Sequence, residues 1–283
     1  MTMSKERNLT TIDEFVEKNQ DKFTPSTLKL YKSQLNTMTD KFSFLTRQST
    51  ILKYMDAIDN PNTKSNKLNV IILLRKFNDK ATDLLRDNRE GNFKAIETHR
   101  KKSLLTLDES LINYDELIEK LQAMETRWYM LNYMYIHFGL RNKDLNVKFK
   151  EELPEPEERK AENIVIYENG VVEFYINVYK TAKAYHEKTL KVTDEKFIKI
   201  FLEQGLKDNA YLFAKADGEP YTNYSFNVIS GRHSIDKLGE TKIMKIIVKH
   251  CLDNHDFKKL NELQASRGSS LTTILKSYNL YNT

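Results

Sequence analysis

Cysteine occurs once in the 283 residues, at Cys251, which excludes an internal disulfide and any metal site built from several thiolates. Glycine and proline are few (8 and 5), and no internal repeat or low-complexity tract interrupts the chain. No apolar run approaches the ~20 residues that cross a bilayer, and the polar stretch Met1 to Asn8 does not read as a signal peptide. Five of the six histidines, His99, His137, His186, His250 and His255, lack the spacing of metal ligands. No metal and no cofactor is therefore expected, and the single cysteine fits a reducing compartment, cytoplasm or nucleus.

What is present is charge. The chain is 40% hydrophobic and 30% charged, with a net charge of +5, so it reads as globular and long enough for two domains. The charge is uneven. Residues 1–105 hold 20 Lys and Arg against 13 Asp and Glu, and the remainder hold 25 against 27. A basic N-terminal part on a nearly neutral body suits a polyanionic partner.

The N-terminal part reads as helical. Thr10 or Thr11 caps a helix from Ile12, and Thr24-Pro25 gives an N-cap followed by proline at the first helical position. Further helices are expected over Ser49 to Ile58, Lys64 to Asp79 and Ala81 to Asn88, the last stopping at Gly91. The helix from Lys64 places Leu68, Ile71, Ile72 and Phe77 inward and Lys67, Arg75 and Lys76 outward. Residues 94–105 have no apolar periodicity and carry His99-Arg100-Lys101-Lys102. The organisation expected is thus a helical domain over 1–93, a linker over 94–105 and a second domain over 106–283.

In the second domain, Asn113 with Glu116 opens a helix, and an amphipathic helix from Arg127 to Phe138 stops at Gly139. The period then changes to two. Ile164 to Tyr167 and Val171 to Tyr179 read as strands joined by Asn169-Gly170, a strong hairpin signal. Lys188 to Val192 is a third strand, and helices follow from Thr222 to the C-terminus. The fold class expected is mainly α with a small antiparallel sheet, α+β.

Four stretches stand out in order: Gly139-Leu140-Arg141-Asn142-Lys143-Asp144-Leu145; Tyr179-Lys180-Thr181 beside the sheet; Tyr211-Leu212-Phe213; and Arg267-Gly268-Ser269-Ser270-Leu271-Thr272-Thr273 followed by Tyr278. The planar fork of an arginine suits a phosphate. Together these motifs resemble the tyrosine recombinase (phage integrase) family, and the short, cysteine-poor form is similar to integrases of large eukaryotic DNA viruses and mobile elements.

The resemblance implies a SAM-like core-binding domain ahead of a tyrosine recombinase-like catalytic domain. It implies double-stranded DNA as partner and a dimer or tetramer assembled on it, with virion or virus factory as further locations. The activity implied is site-specific recombination or integration through a 3′-phosphotyrosyl intermediate, without metal. Tyr278 would be the nucleophile, Arg141 the first arginine and Lys180 the hairpin lysine. The family's H-x-x-R falls on Lys242-Ile243-Met244-Lys245, so lysines stand for its histidine and second arginine. Ser266-Arg267-Gly268 occupies the turn of the later histidine, where Arg267 restores a guanidinium. A DNA-binding protein of the same fold without catalysis, or a type IB topoisomerase-like activity, are the alternatives.

Overall fold

Apolar side chains collect in separate cores on either side of residue 104. In the computed structural model, which describes residues 2–108 and 111–281, the chain divides into units of residues 1–104 and 105–283.

The first unit is helical: α1 (Thr2–Glu17), α2 (Pro25–Asn36), α3 (Gln48–Asp56), α4 (Pro61–Phe77) and α5, which spans Asp83–Asp108. Local chemistry sets two starts. Thr24 Oγ1 accepts from the Thr27 amide and Asn60 Oδ1 from the Thr63 amide, each with proline at the first turn, leaving fewer unsatisfied amides at the helix end. Ile12, Phe15, Leu35, Ile51, Leu68 and Ile71 form the core.

The helix stop expected at Gly91 is corrected here: α5 runs through it and on through residues 94–105, so the stretch expected as a linker is helical. Gly91 keeps a negative φ, and the residues after it include good helix formers such as Lys94, Ala95, Glu97, Lys101 and Lys102. Arg75 points inward instead of outward. It is 4% exposed, and its guanidinium donates to the carbonyls of Phe44, Thr46 and Ala81, so its charge serves as a cross-brace between loops.

The second unit continues with α6 (Tyr114–Gln122) and α7 (Trp128–Phe138), then a 3-10 turn at Asn142–Leu145. The sheet and its connections follow: β1 (Val147–Phe149), α8 (Pro156–Arg159), β2 (Asn163–Glu168), β3 (Val171–Ile176), α9 (Ala182–Tyr185) and β4 (Lys188–Val192). Helices α10 (Glu195–Glu203), α11 (Asn223–His233), α12 (Gly239–Asp253), α13 (Phe257–Arg267) and α14 (Leu271–Tyr278) complete it. The unit is α+β. Its sheet order is β1-β2-β3-β4. The β2–β3 and β3–β4 pairings are antiparallel, but β1 pairs with β2 in parallel, so the sheet is mixed rather than purely antiparallel. The acidic stretch after β1, with α8, carries the chain back to start β2 in the same direction.

Asn169 (φ +51) and Gly170 (φ +81) make the hairpin turn between β2 and β3, with two left-handed residues as a type I′ turn requires. One face of the sheet (Val165, Val172, Phe174, Leu190) packs on Leu131, Met134, Tyr135, Phe197 and Ile247.

Gly139 ends α7 at φ +59, and a Cβ there would meet Met244 Sδ at 3.0 Å and Leu263 Cδ2 at 3.3 Å. Gly139→Ala should therefore lower unfolding free energy by about 1–3 kcal/mol, read as an earlier midpoint in urea titration. A midpoint within error of the parent would show that the turn relaxes freely.

Candidate functional site

Two helices end against one another. Gly139 terminates α7 and Gly268 (φ +58) terminates α13, both as left-handed caps, and each glycine lies within two residues of an arginine. The arginines exchange partners. Arg141 Nη1 donates to the Arg267 carbonyl oxygen at 2.8 Å, and Arg267 Nη1 donates to the Gly139 carbonyl oxygen. Each guanidinium thus sits on the electronegative end of the other's helix, where cations are favoured. Arg141 Nη2 also donates to Ser269 Oγ at 2.7 Å, and Ser266 Oγ donates to the Phe138 carbonyl oxygen at 2.7 Å.

The two arginines differ in exposure. Arg267 is 1% exposed, whereas 17% of the Arg141 side chain remains open. Burial, followed by the neighbouring Arg267 charge, pushes the Arg141 guanidinium below its ordinary value. Behind it Asp144 is fully buried. Its Oδ2 accepts from the Arg141 amide at 3.1 Å and lies 3.8 Å from the guanidinium. Burial nevertheless raises its carboxyl above the usual range.

Tyr278 closes the cluster. Ser270 caps α14 through the Thr273 amide at 3.2 Å, and two turns on the Tyr278 hydroxyl accepts from Arg267 Nη2 at 2.5 Å. The guanidinium also lies over the phenol ring, 4.9 Å from its centre. Arg267 Nη2 is shared with Glu240 Oε1 at 2.6 Å. The same carboxylate accepts from the Asn142 amide through Oε2 at 3.1 Å.

Of the lysines singled out in the sequence, Lys180 is exposed in the segment after β3, Lys242 is exposed on α12 and Lys245 is half-buried there. A lysine that reaches the cluster is Lys188, the first residue of β4. Its Nζ donates to the Ser266 carbonyl oxygen at 2.9 Å and stands 3.4 Å over the Tyr179 ring. Burial, with the charges of Arg141 and Arg267 adding to it and Asp144 opposing, lowers its value to about 8. Tyr179 and Lys188 crowd Gly268, where a Cβ would meet Tyr179 Cε2 at 2.7 Å and Lys188 Cε at 3.0 Å. Thr181 Oγ1 also donates to the Gly268 carbonyl oxygen, at 2.5 Å.

Lys188 and Glu240 are the site residues that sequence reasoning missed. A signal for Lys188 existed: the strand alternates, and Lys188 shares its buried face with Leu190 and Val192. Glu240 gave only a weak one, an acid in the first turn of a helix.

The cluster can do three things chemically. A partly exposed guanidinium can hold a phosphate, a phenol against a second guanidinium can act as nucleophile, and a lysine near 8 can donate a proton. Among the described residues no three His, Cys, Asp or Glu side chains gather as a metal site, and no helix is long and apolar enough to cross a membrane. No protein-family model matches the chain, and no curated protein matches it. Among solved structures the chain is similar to the crystal structure of XerA recombinase, at 13% identity and a TM-score of 0.38. The match covers 99% of this chain and 94% of that one.

Proposed function

We propose that this protein binds duplex DNA and that its second unit cuts and rejoins a strand through Tyr278. The observation that carries this reading is the convergence of Arg141, Lys188, Arg267 and Tyr278, from four separate stretches of chain, around the paired ends of α7 and α13. In this reading the Tyr278 oxygen, its proton passing to solvent, attacks a backbone phosphorus and expels the 5′-oxygen of the next nucleotide, leaving a 3′-phosphotyrosyl link that the reverse reaction resolves. Arg141, whose side chain is 17% exposed, holds the phosphoryl oxygens as they gain charge. Lys188 donates a proton to the departing 5′-oxygen, the role expected in the sequence of Lys180. The basic first unit supplies sequence-independent attraction to the backbone. Integration or recombination, with a dimer or tetramer on DNA, is the finer form of the same proposal.

A nicked duplex whose downstream fragment diffuses away should trap a covalent protein–DNA adduct. Duplex affinity should fall steeply with added salt. Cleavage should decline as pH rises through about 8, because only protonated Lys188 can donate, and Lys188→Met should remove that limb together with most of the rate. Stability supplies an independent check. The folded value of Lys188 lies below the ordinary 10.5, so the unfolded chain binds more protons between about pH 8 and 10.5. The unfolding free energy of the parent should rise across that window relative to Lys188→Met. A flat cleavage profile would remove Lys188 from the reaction.

A second reading, DNA binding without cleavage, has its own observation: Arg267 is buried and neutralised by Glu240 at 2.6 Å. Tight, salt-sensitive duplex binding with no adduct would select it.

A further inference from the structure

The strand-transfer reading leaves Glu240 without a task, although it places a negative charge beside the group that would meet a negative substrate. Arg267 is 1% exposed. Its Nη1 is held by the Gly139 carbonyl, while its Nε has no hydrogen-bond partner among the described residues. The plane of a guanidinium is set by its two ends, so the group fixing Nη2 decides where the remaining N–H points. Two acceptors share Nη2: Glu240 Oε1 at 2.6 Å and the Tyr278 hydroxyl at 2.5 Å.

Glu240 is itself anchored. Its Oε2 accepts from the Asn142 amide at 3.1 Å, in the turn that follows Arg141. Asn142 in turn donates through Nδ2 to Asn227 Oδ1 at 2.7 Å and accepts from the Tyr135 hydroxyl. One carboxylate therefore joins the turn carrying Arg141 to the guanidinium that touches Tyr278. Gly239 begins α12 at φ +67, setting Glu240 in the first turn, where the helix favours an anion.

We propose that Glu240 is a positioning residue of this site, its carboxylate fixing the Arg267 guanidinium so that Nη2 meets the Tyr278 hydroxyl. The inference rests on the strand-transfer reading for its catalytic consequence, but its geometric content stands alone. A neutral amide in place of the carboxylate keeps the shape, but it loses the ion pair to Arg267 and one of the two oxygens that accept from Arg267 and Asn142.

The test uses the full chain labelled with ¹³Cζ-tyrosine, the Tyr278 resonance being the one absent from Tyr278→Phe. Glu240→Gln should displace that resonance and lower single-turnover cleavage of the nicked duplex at least tenfold, with duplex affinity within twofold of the parent. Glu240→Asp, a carboxylate one methylene shorter, should give an intermediate displacement and an intermediate rate. It decides the same question should the glutamine variant not fold. A Tyr278 resonance that overlays the parent's, or cleavage that is unchanged or faster, overturns the proposal. If the parent itself forms no adduct, the strand-transfer reading fails, and the resonance alone still decides whether Glu240 positions Arg267.

Discussion

Tyr278→Phe is expected to erase the covalent adduct on a nicked duplex, a fall of about 10³ or more in trapped product, while duplex affinity stays within error of the parent. The phenyl ring keeps its place under the Arg267 guanidinium, now 4.9 Å from the ring centre, so the variant should fold. The lost hydroxyl removes one acceptor for Nη2, a stability change of about 1 kcal/mol, within the reach of a melting curve. An adduct that survives the substitution would move the nucleophile to another tyrosine. Tyr281 would be examined next; it is 53% exposed and its hydroxyl donates to an Asp253 carboxylate oxygen.

The second large effect separates the two arginines. Arg267→Ala leaves Glu240 without its charged partner and the Gly139 carbonyl without its donor. Breaking a buried pair from one side costs about 3–5 kcal/mol, so this variant should lose much of its fold stability along with activity. Arg141→Ala gives up a half-buried side chain that bonds to the Arg267 carbonyl and Ser269 Oγ. It should fold with a modest loss yet reduce cleavage by about 10²–10³, the usual effect of removing one preorganised donor to a developing oxyanion. Urea titration beside single-turnover kinetics reads both quantities. Equal stability losses with equal activity losses would show that the arginines act only as a structural pair.

The parts of this arrangement that were legible in the sequence are those written in local chemistry. Gly139 reads as a helix stop because a left-handed cap favours glycine, and Asn169-Gly170 reads as a hairpin because both positions need positive φ. Arg141, Arg267 and Tyr278 stood out by type and order, and the structure brings these three together. Contacts made across the fold were not legible. Lys180, in the more familiar setting beside a strand, is exposed, while Lys188 gained its place from a strand register that pairs it with Ile176. Arg75 looked like a surface cation because helical spacing does not reveal a carbonyl-rich loop packed beside it. The passage of α5 through Gly91 was hidden for the opposite reason: glycine permits a stop without requiring one.

The exchange of arginines between the ends of α7 and α13 bears on the order in which the chain is made. The two bonds join residues 126 and 128 positions apart, and the hydroxyl partner of Arg267 lies a further 11 residues on. A ribosome that has released the whole sheet has still not released Arg267 or Tyr278. Until then Arg141 lacks the Arg267 carbonyl and the Ser269 hydroxyl that hold it, and the Gly139 carbonyl lacks its donor. The long closure also places these contacts among those most costly in chain entropy to form. A nascent chain can therefore present its basic first unit to nucleic acid well before the cluster that would act on a phosphate exists. If the proposed function holds, competence for binding would precede competence for cutting by the time needed to synthesise residues 105–278.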